Sequence, residues 1–393
     1  MRTPCGLRTV VTILEIFAEL LGDTFGKVPC YNTIENWVKK LGLSVYQDEQ
    51  PCKDKKFAMV VDESIAINGQ KLLLTLAIPS EHQNRPIKHE DVTILDISVS
   101  KGFNGDDVQG RIEEAEKSAG NAPDYIISDN GHNLTKGITG SGHIRHADIS
   151  HSMGVILKKV YEKQSDFVEF TTLLGKKRLQ YHLTDKAYLL PPNMRAISRF
   201  MNMPSWVFWG NEMLDCYDTL PEKMQEAYAF IKDYESLLKE LQAVLCAVRH
   251  IEAICKNEGF SVMTSRKCKL YVITHVLGNA HSRQARAGIG MLEYFNREEA
   301  FLTGNMSINI SSDIIESTFG IYKSKKSPNK LYGVTSFVLT IPLYPKVSNE
   351  SVTKTINFKE RIVNVKLKDI STWSTEHLSK NWVTERTKTL RKV

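Results

Sequence analysis

An α/β core built on a mixed sheet, with an all-helical stretch set inside it, is the architecture that this chain's patterning predicts. Three observations point there. Between residues 53 and 150, short runs of strand formers alternate with helical patterns, and two of the runs stop on an aspartate. From 152 to 305 the apolar residues recur at helical spacing. Near the start, two amphipathic helices flank a turn. The 393 residues exceed one ordinary core of ~100–200 residues, so two or three structural units are expected. With 42% hydrophobic and 24% charged residues the composition is globular, which excludes disordered and fibrous classes. No stretch approaches ~20 uninterrupted apolar residues, so no membrane partner is expected. The first apolar run, Val10 to Leu21, is broken by Glu15 and Glu19 and lacks a small-residue cleavage site. It reads as an amphipathic helix and not as a signal peptide. Seven cysteines without a C-x-x-C pair argue for a reducing compartment.

The elements follow in order. Val10, Ile13, Leu14, Phe17, Leu20 and Leu21 share one helical face, and Ile34, Trp37, Val38 and Leu41 mark a second helix that Gly42 should stop. Tyr31, Asn32, Glu35, Asn36, Lys39 and Lys40 form its outer face, so residues 1–50 read as a helix-turn-helix-like segment offered to a DNA groove. Two packed helices without that role have the same pattern. Strands are expected at 56–62, 70–78 and 91–99, with a turn at Asn68-Gly69, then a helix from Asp106 to Ala119. A strand at 123–129, a short helix around 134–138 and a fifth strand at 143–149 complete a mixed five-stranded sheet. In the helical stretch, one long helix is expected from Pro221 to about Lys256, because Met224, Ile231, Leu238 and Leu245 fall seven apart. Trp206 and Trp209 read as core residues, with base stacking as the rival role. Cys246, His250, Cys255 and Cys268 fit no usual zinc spacing.

Charge is uneven. The net charge is +6, and residues 346–393 alone hold eleven Lys/Arg against five Asp/Glu. This basic C-terminal tail either meets a polyanion, nucleic acid first, or is simply solvated.

The chemistry is sought among acids that interrupt apolar runs. Asp62 follows Phe57-Ala-Met-Val-Val, and Asp129 follows Tyr125-Ile-Ile-Ser. A carboxylate at the end of a buried strand is costly unless it is paired or binds a metal. Two of them on one sheet edge repel, and a divalent cation removes that repulsion. Glu316 is the third candidate, on a helix with Ile314, Ile315 and Phe319. Lys323 lies seven residues on, about 10 Å along the same face. Asp313, one turn earlier, is a rival ligand that also suits the helix start.

These residues resemble the catalytic core of DDE-type insertion-sequence transposases with a ribonuclease-H-like fold. Glu316 and Lys323 match their E-x6-K spacing, and Asp148-Ile-Ser-His151 is similar to the (C/D)-x-x-H element of several transposase superfamilies. The subgroup with a Y-x2-R-x3-E-x6-K signature would have Tyr and Arg where this chain has Asn309 and Ser312, so only its second half matches. The resemblance implies a core in two parts, 53–151 and 306–345, with 152–305 as a helical insertion. The chain starts almost directly in its first helix, which leaves little room for a separate end-binding domain.

The implied activity is DNA strand cleavage and strand transfer at mobile-element ends by two-metal phosphoryl transfer. Asp62, Asp129 and Glu316 would hold two Mg²⁺ ions, with Mn²⁺ as a substitute. Asp148 and His151 would position phosphate or support the metal shell, and His151 equally suits a helix cap. Lys323, Lys325, Lys326 and Lys330, with Lys39 and Lys40, would contact double-stranded DNA. Synapsis of two ends implies a homodimer or larger assembly on DNA, in the cytoplasm at the nucleoid. The alternatives are a catalytically inactive, transposon-derived DNA-binding protein and a nuclease of the same fold that cuts without joining.

Overall fold

The structure, a computed structural model, describes residues 5–48, 50–64, 67, 69–193, 200, 203–278, 282–302, 304, 306–326, 333–380 and 389–390. The chain divides into two compact units: residues 1–81, 86–146 and 312–393 form the first, and 82–85 with 147–311 form the second.

The first unit opens with helices α1 (Leu7–Leu21) and α2 (Tyr31–Tyr46). No residue of α1 is buried, and Phe17, Leu20 and Leu21 on its apolar face are exposed. Helix α2 does not stop at Gly42. It runs on to Tyr46, and a Cβ at 42 would lie 1.8 Å from the Leu339 carbonyl oxygen. The glycine serves a close backbone approach inside the helix and is not a terminator. Trp37, expected on the buried stripe, is 43% exposed, whereas Glu35, Asn36, Lys39 and Lys40 on the expected outer face are half-buried. The cause is that 336–340 and later helices pack against α2 from that side.

A mixed five-stranded sheet follows, with strand order β3-β2-β1-β4-β5. Its strands are β1 (Phe57–Glu63), β2 (Lys71–Pro79), β3 (Thr93–Ser100), β4 (Ile126–Ser128) and β5 (Arg145–Ala147). β1 and β2 pair antiparallel, as do β2 and β3, while β1 and β4 run parallel. Such a parallel pair needs a crossover, and α3 (Gly105–Ala119) supplies it. Asn104 caps α3 by accepting from the Asp106 and Asp107 amides, while Asp107 accepts from the Asn104 amide in return. Helix α4 (His132–Gly140) links β4 to β5. Val108, Ile112 and Ala115 of α3 and Leu134 and Ile138 of α4 bury against Met59, Val61 and Leu73. Each fully buried Val, Leu or Ile there contributes roughly 1.5–3 kcal/mol.

The second unit is helical: α5 (Ile149–Tyr161), α6 (Ser165–Tyr181), α7 (Met203–Cys216), α8 (Glu222–Tyr228), α9 (Glu235–Glu258), α10 (Val262–His275) and α11 (Arg283–Glu299). The long helix expected from Pro221 is split, because a 3₁₀ segment at Ala229–Tyr234 separates α8 from α9. Tyr228, Phe230 and Tyr234 do not share one face of a regular α-helix. Phe230 and Tyr234 of that segment reach Phe170, and Tyr228 packs on Phe230. The heptad residues Met224, Ile231, Leu238 and Leu245 are nevertheless all buried.

The chain returns to the first unit with α12 (Asp313–Lys325), α13 (Leu343–Ser348), α14 (Glu350–Thr355), α15 (Phe358–Asn364) and α16 (Leu367–His377). Most of the segment expected as a basic tail is therefore folded. Val365, Ile370 and Trp373 are buried, and Arg361 pairs with Asp48 at 2.9 Å. A charge count hides these apolar residues. Beyond α16, Leu378 bridges Val99 in parallel and the Ser379 amide donates to the Val99 carbonyl at 2.8 Å, covering the edge strand β3. Buried Gln70 holds this arrangement. Its side-chain amide donates to the Ser379 carbonyl at 2.8 Å and its carbonyl accepts from the Val334 amide at 2.9 Å.

Among the described residues no helix is long and apolar enough to cross a membrane.

Candidate functional site

Parallel pairing of β1 with β4 builds the site. Met59 is opposite Ile126 and Val60 opposite Ile127. Carried two residues further, the same register brings Asp62, still in β1, level with Asp129, the first residue after β4. Asp62 is the sixth residue of β1 and only 8% exposed. Its Oδ1 accepts from the Glu63 amide at 2.7 Å. Asp129 leaves the end of β4, and its Oδ1 accepts from the Gly131 amide at 2.7 Å.

Arg145, at the start of β5, braces that loop. Its Nε donates to Ser128 Oγ at 2.8 Å, and its Nη2 donates to the Asp129 carbonyl and to Asn130 Oδ1 at 3.0 Å. Sequence reasoning missed Arg145. The available signal was an arginine among the polar residues before a buried His-Ala pair, but only the strand order sets it beside β4.

Helix α12 packs on β1 and carries Glu316 in its first turn, with Ile315 and Phe319 buried beneath. Lys323 is half-buried and sits over the Phe319 ring, 5.5 Å from its centroid. Burial pushes its ammonium below the usual lysine range, and the charges of Asp62 and Glu316 pull it back up. One cation thus lies in the field of an acid from the sheet and an acid from the helix. Lys326 acts on Lys323 in the opposite sense, as a like charge nearby. Asp313 begins α12 and is exposed. Ser317 Oγ meets His89 Nε2 at 3.1 Å, a second tie between α12 and the sheet-bearing part of the chain.

The expected donors are all carboxylate oxygens, which suit Mg²⁺ or Mn²⁺. Among the described residues, however, no group of three or more His, Cys, Asp or Glu side chains is gathered closely enough to hold a metal ion. Asp62 and Asp129 lie past the same end of the β1–β4 pairing, and Lys323 lies in the field of both Asp62 and Glu316. Each aspartate also accepts a backbone amide from its own strand end.

Asp148 and His151 belong to the second unit. Asp148 is fully buried and caps α5, accepting the His151 amide at 2.6 Å. The capping role that the sequence suggested for His151 therefore falls to Asp148, because an N-cap side chain reaches an amide three residues on. Of the expected DNA-binding lysines, Lys39 is ion-paired with Glu35 and Lys40 donates to the Ile362 carbonyl at 3.5 Å. Lys325 sits over the Tyr344 ring, 5.0 Å from its centroid. Lys330 lies outside the described residues.

Trp206 is fully buried between Phe167 and Phe170, and Trp209 donates its indole N–H to the Leu189 carbonyl at 3.3 Å. Both serve the helical core. Cys255 and Cys268 are buried with sulfurs 3.9 Å apart, whereas Cys246 is exposed and His250 stacks on Tyr271.

Compared with known families and with curated proteins, the chain matches no family model and no curated protein.

Proposed function

We propose that the chain is a metal-dependent DNA transposase with a ribonuclease-H-like core, cutting and joining DNA strands at the ends of a mobile element. The observation that carries this reading is the parallel pairing of β1 with β4, whose register, carried two residues on, brings Asp62 and Asp129 to the same end of the sheet. The strand order, three antiparallel strands followed by a parallel partner reached through a helix, supports the same core.

Asp62, Asp129 and Glu316 would hold the cations. When bound, Mg²⁺ supplies an activated oxygen nucleophile and charge stabilisation for the attacked phosphate and the leaving oxygen. The protein's own groups do the remainder. Lys323 offers a positive charge to a phosphate flanking the reacting one, two helical turns from Glu316. Arg145 holds the Ser128–Asn130 backbone, and so the direction in which the Asp129 carboxylate leaves the sheet. The nucleophile is water for cleavage and a freed 3′-OH for joining, so no covalent protein intermediate is needed. Synapsis of two ends calls for at least a dimer on DNA.

The test is incubation with labelled duplexes from the DNA flanking the gene, in Mg²⁺ or Mn²⁺. Cutting followed by joining is the expected result. Cutting alone would make the protein a nuclease, and binding without cutting would make it a catalytically inactive DNA-binding protein.

A further inference from the structure

A cleft of about 490 Å³ opens in the first unit between the start of α1, the start of α2 and the end of α12. Its lining includes Arg8, Tyr31, Glu35, Lys325, Lys326 and Phe337. Three cations therefore face one acid, and that acid is already ion-paired with Lys39.

Two of the three cations lie over aromatic rings. The Arg8 guanidinium lies over the Tyr31 ring at 4.9 Å, and the Lys325 ammonium lies over Tyr344 at 5.0 Å. Among the described residues no carboxylate forms an ion pair with Arg8, Lys325 or Lys326. A ring orients a cation without cancelling its charge, so the cleft keeps its positive potential. Burial pushes the Lys325 ammonium below its usual range, a desolvation cost that a bound anion would offset. The α2 N-terminus adds its dipole at the same place. It begins at Tyr31, its N-cap Cys30 makes no side-chain capping bond, and its first turn holds no acid.

We propose that this cleft binds a backbone phosphate of DNA, clamped between Arg8 on one side and Lys325 with Lys326 on the other. The anion chemistry follows from the cleft itself, while the identity of the strand rests on the function proposed above. Lys325 follows Glu316 by nine residues, about 14 Å along α12. Nine residues are two and a half turns, so Lys325 leaves α12 on the side opposite Glu316, and the clamped phosphate is not one beside the acids.

The test uses the full chain in EDTA, with binding of a fluorescent 20-base-pair duplex followed by anisotropy across a salt series. Native protein is compared with the Arg8→Gln, Lys325→Gln double variant and with Lys223→Gln. Losing the clamp on that one phosphate lowers the slope of log affinity against log salt by about 1 and weakens binding at low salt. Lys223→Gln, a charge loss on exposed α8 outside the cleft, should bind as the native chain does. In parallel, Lys325 is mapped by acylation and mass spectrometry with duplex or with inorganic phosphate at matched phosphate concentration. Protection by duplex alone supports the DNA clamp. Equal protection by inorganic phosphate assigns the cleft to a free anion and overturns it. An unchanged salt slope in a folded double variant overturns the clamp while leaving the proposed transposase intact. No duplex binding by the native chain would overturn both.

Discussion

Asp62 and Asp129 each lie two residues past Val60–Ile127, the last pairing of β1 with β4. Both residues lie at the same end of the β1–β4 pair. Lys323 lies in the field of Asp62 and Glu316. Exchanging Asp62 for Asn keeps the shape and removes the charge. Cleavage in Mg²⁺ should fall by more than the about 10–100-fold typical of losing an outer-shell partner, with DNA affinity held within twofold. Undiminished cutting by Asp62→Asn would end its assignment.

Arg145 is the brace for the loop after β4, with three bonds to Ser128, Asp129 and Asn130. Arg145→Ala should lower the cleavage rate about 10–100-fold and leave duplex affinity unchanged, the pattern of a positioning residue. Arg145→Lys restores charge without the fork and should recover little of the rate. A full recovery by lysine would show that charge, not loop geometry, is what matters.

Asp96, buried in mid-strand β3, accepts two bonds from Arg111 at 3.1 Å each and one from Ser98 Oγ at 2.8 Å. Arg111→Ala leaves that carboxylate unpaired and should destabilise the fold by ~3–5 kcal/mol in denaturant unfolding. Replacing both partners with apolar residues, Asp96→Leu with Arg111→Met, should cost much less. Equal losses for the single and double changes would show that packing, and not the buried charge, dominates.

His377 stacks on Trp373 and its Nδ1 faces Arg111 Nη2 at 3.2 Å. Burial pushes the imidazole below its usual value, with the Asp96 charge opposing that shift and Arg111 adding to it. The folded chain thus resists a proton that the unfolded chain accepts below about pH 6.5. Stability should therefore fall as pH drops from about 6.5 through the depressed value. His377→Phe keeps a stacking ring and cannot titrate. The difference in unfolding free energy between native and His377→Phe chains should change between pH 7 and 5, and a constant difference would refute the link.

Gly42 meets the Leu339 carbonyl so closely that Gly42→Ala must push α2 away from residues 336–340. The expected loss is about 1–3 kcal/mol, against the gain that alanine gives an open helix position. A stabilised Gly42→Ala chain would show that the two segments separate freely.

Much of the sheet was legible because burial on both faces leaves continuous apolar runs, and an aspartate closing such a run stands out. Asp62 and Asp129 were found that way, and the E-x6-K spacing drew attention to Glu316 and Lys323. Arg145 gave no such signal, since its partners are atoms of another strand's end. Gly42 looked like a stop because the carbonyl that requires it comes from about three hundred residues away. The folding of 346–380 was hidden because net charge outweighs a few spaced apolar side chains in any composition count.

Local periodicity, governed by which side chains avoid water, was enough to write the strands, most helices and the acids at strand ends. Which end of the sheet Asp62 and Asp129 share depended on the parallel register of β1 and β4. Which cations stay unpaired, and what covers the β3 edge, depended on segments distant in the chain. Those outcomes are set by long-range pairing, and the spacing of residues along one strand or helix carries no record of its partner.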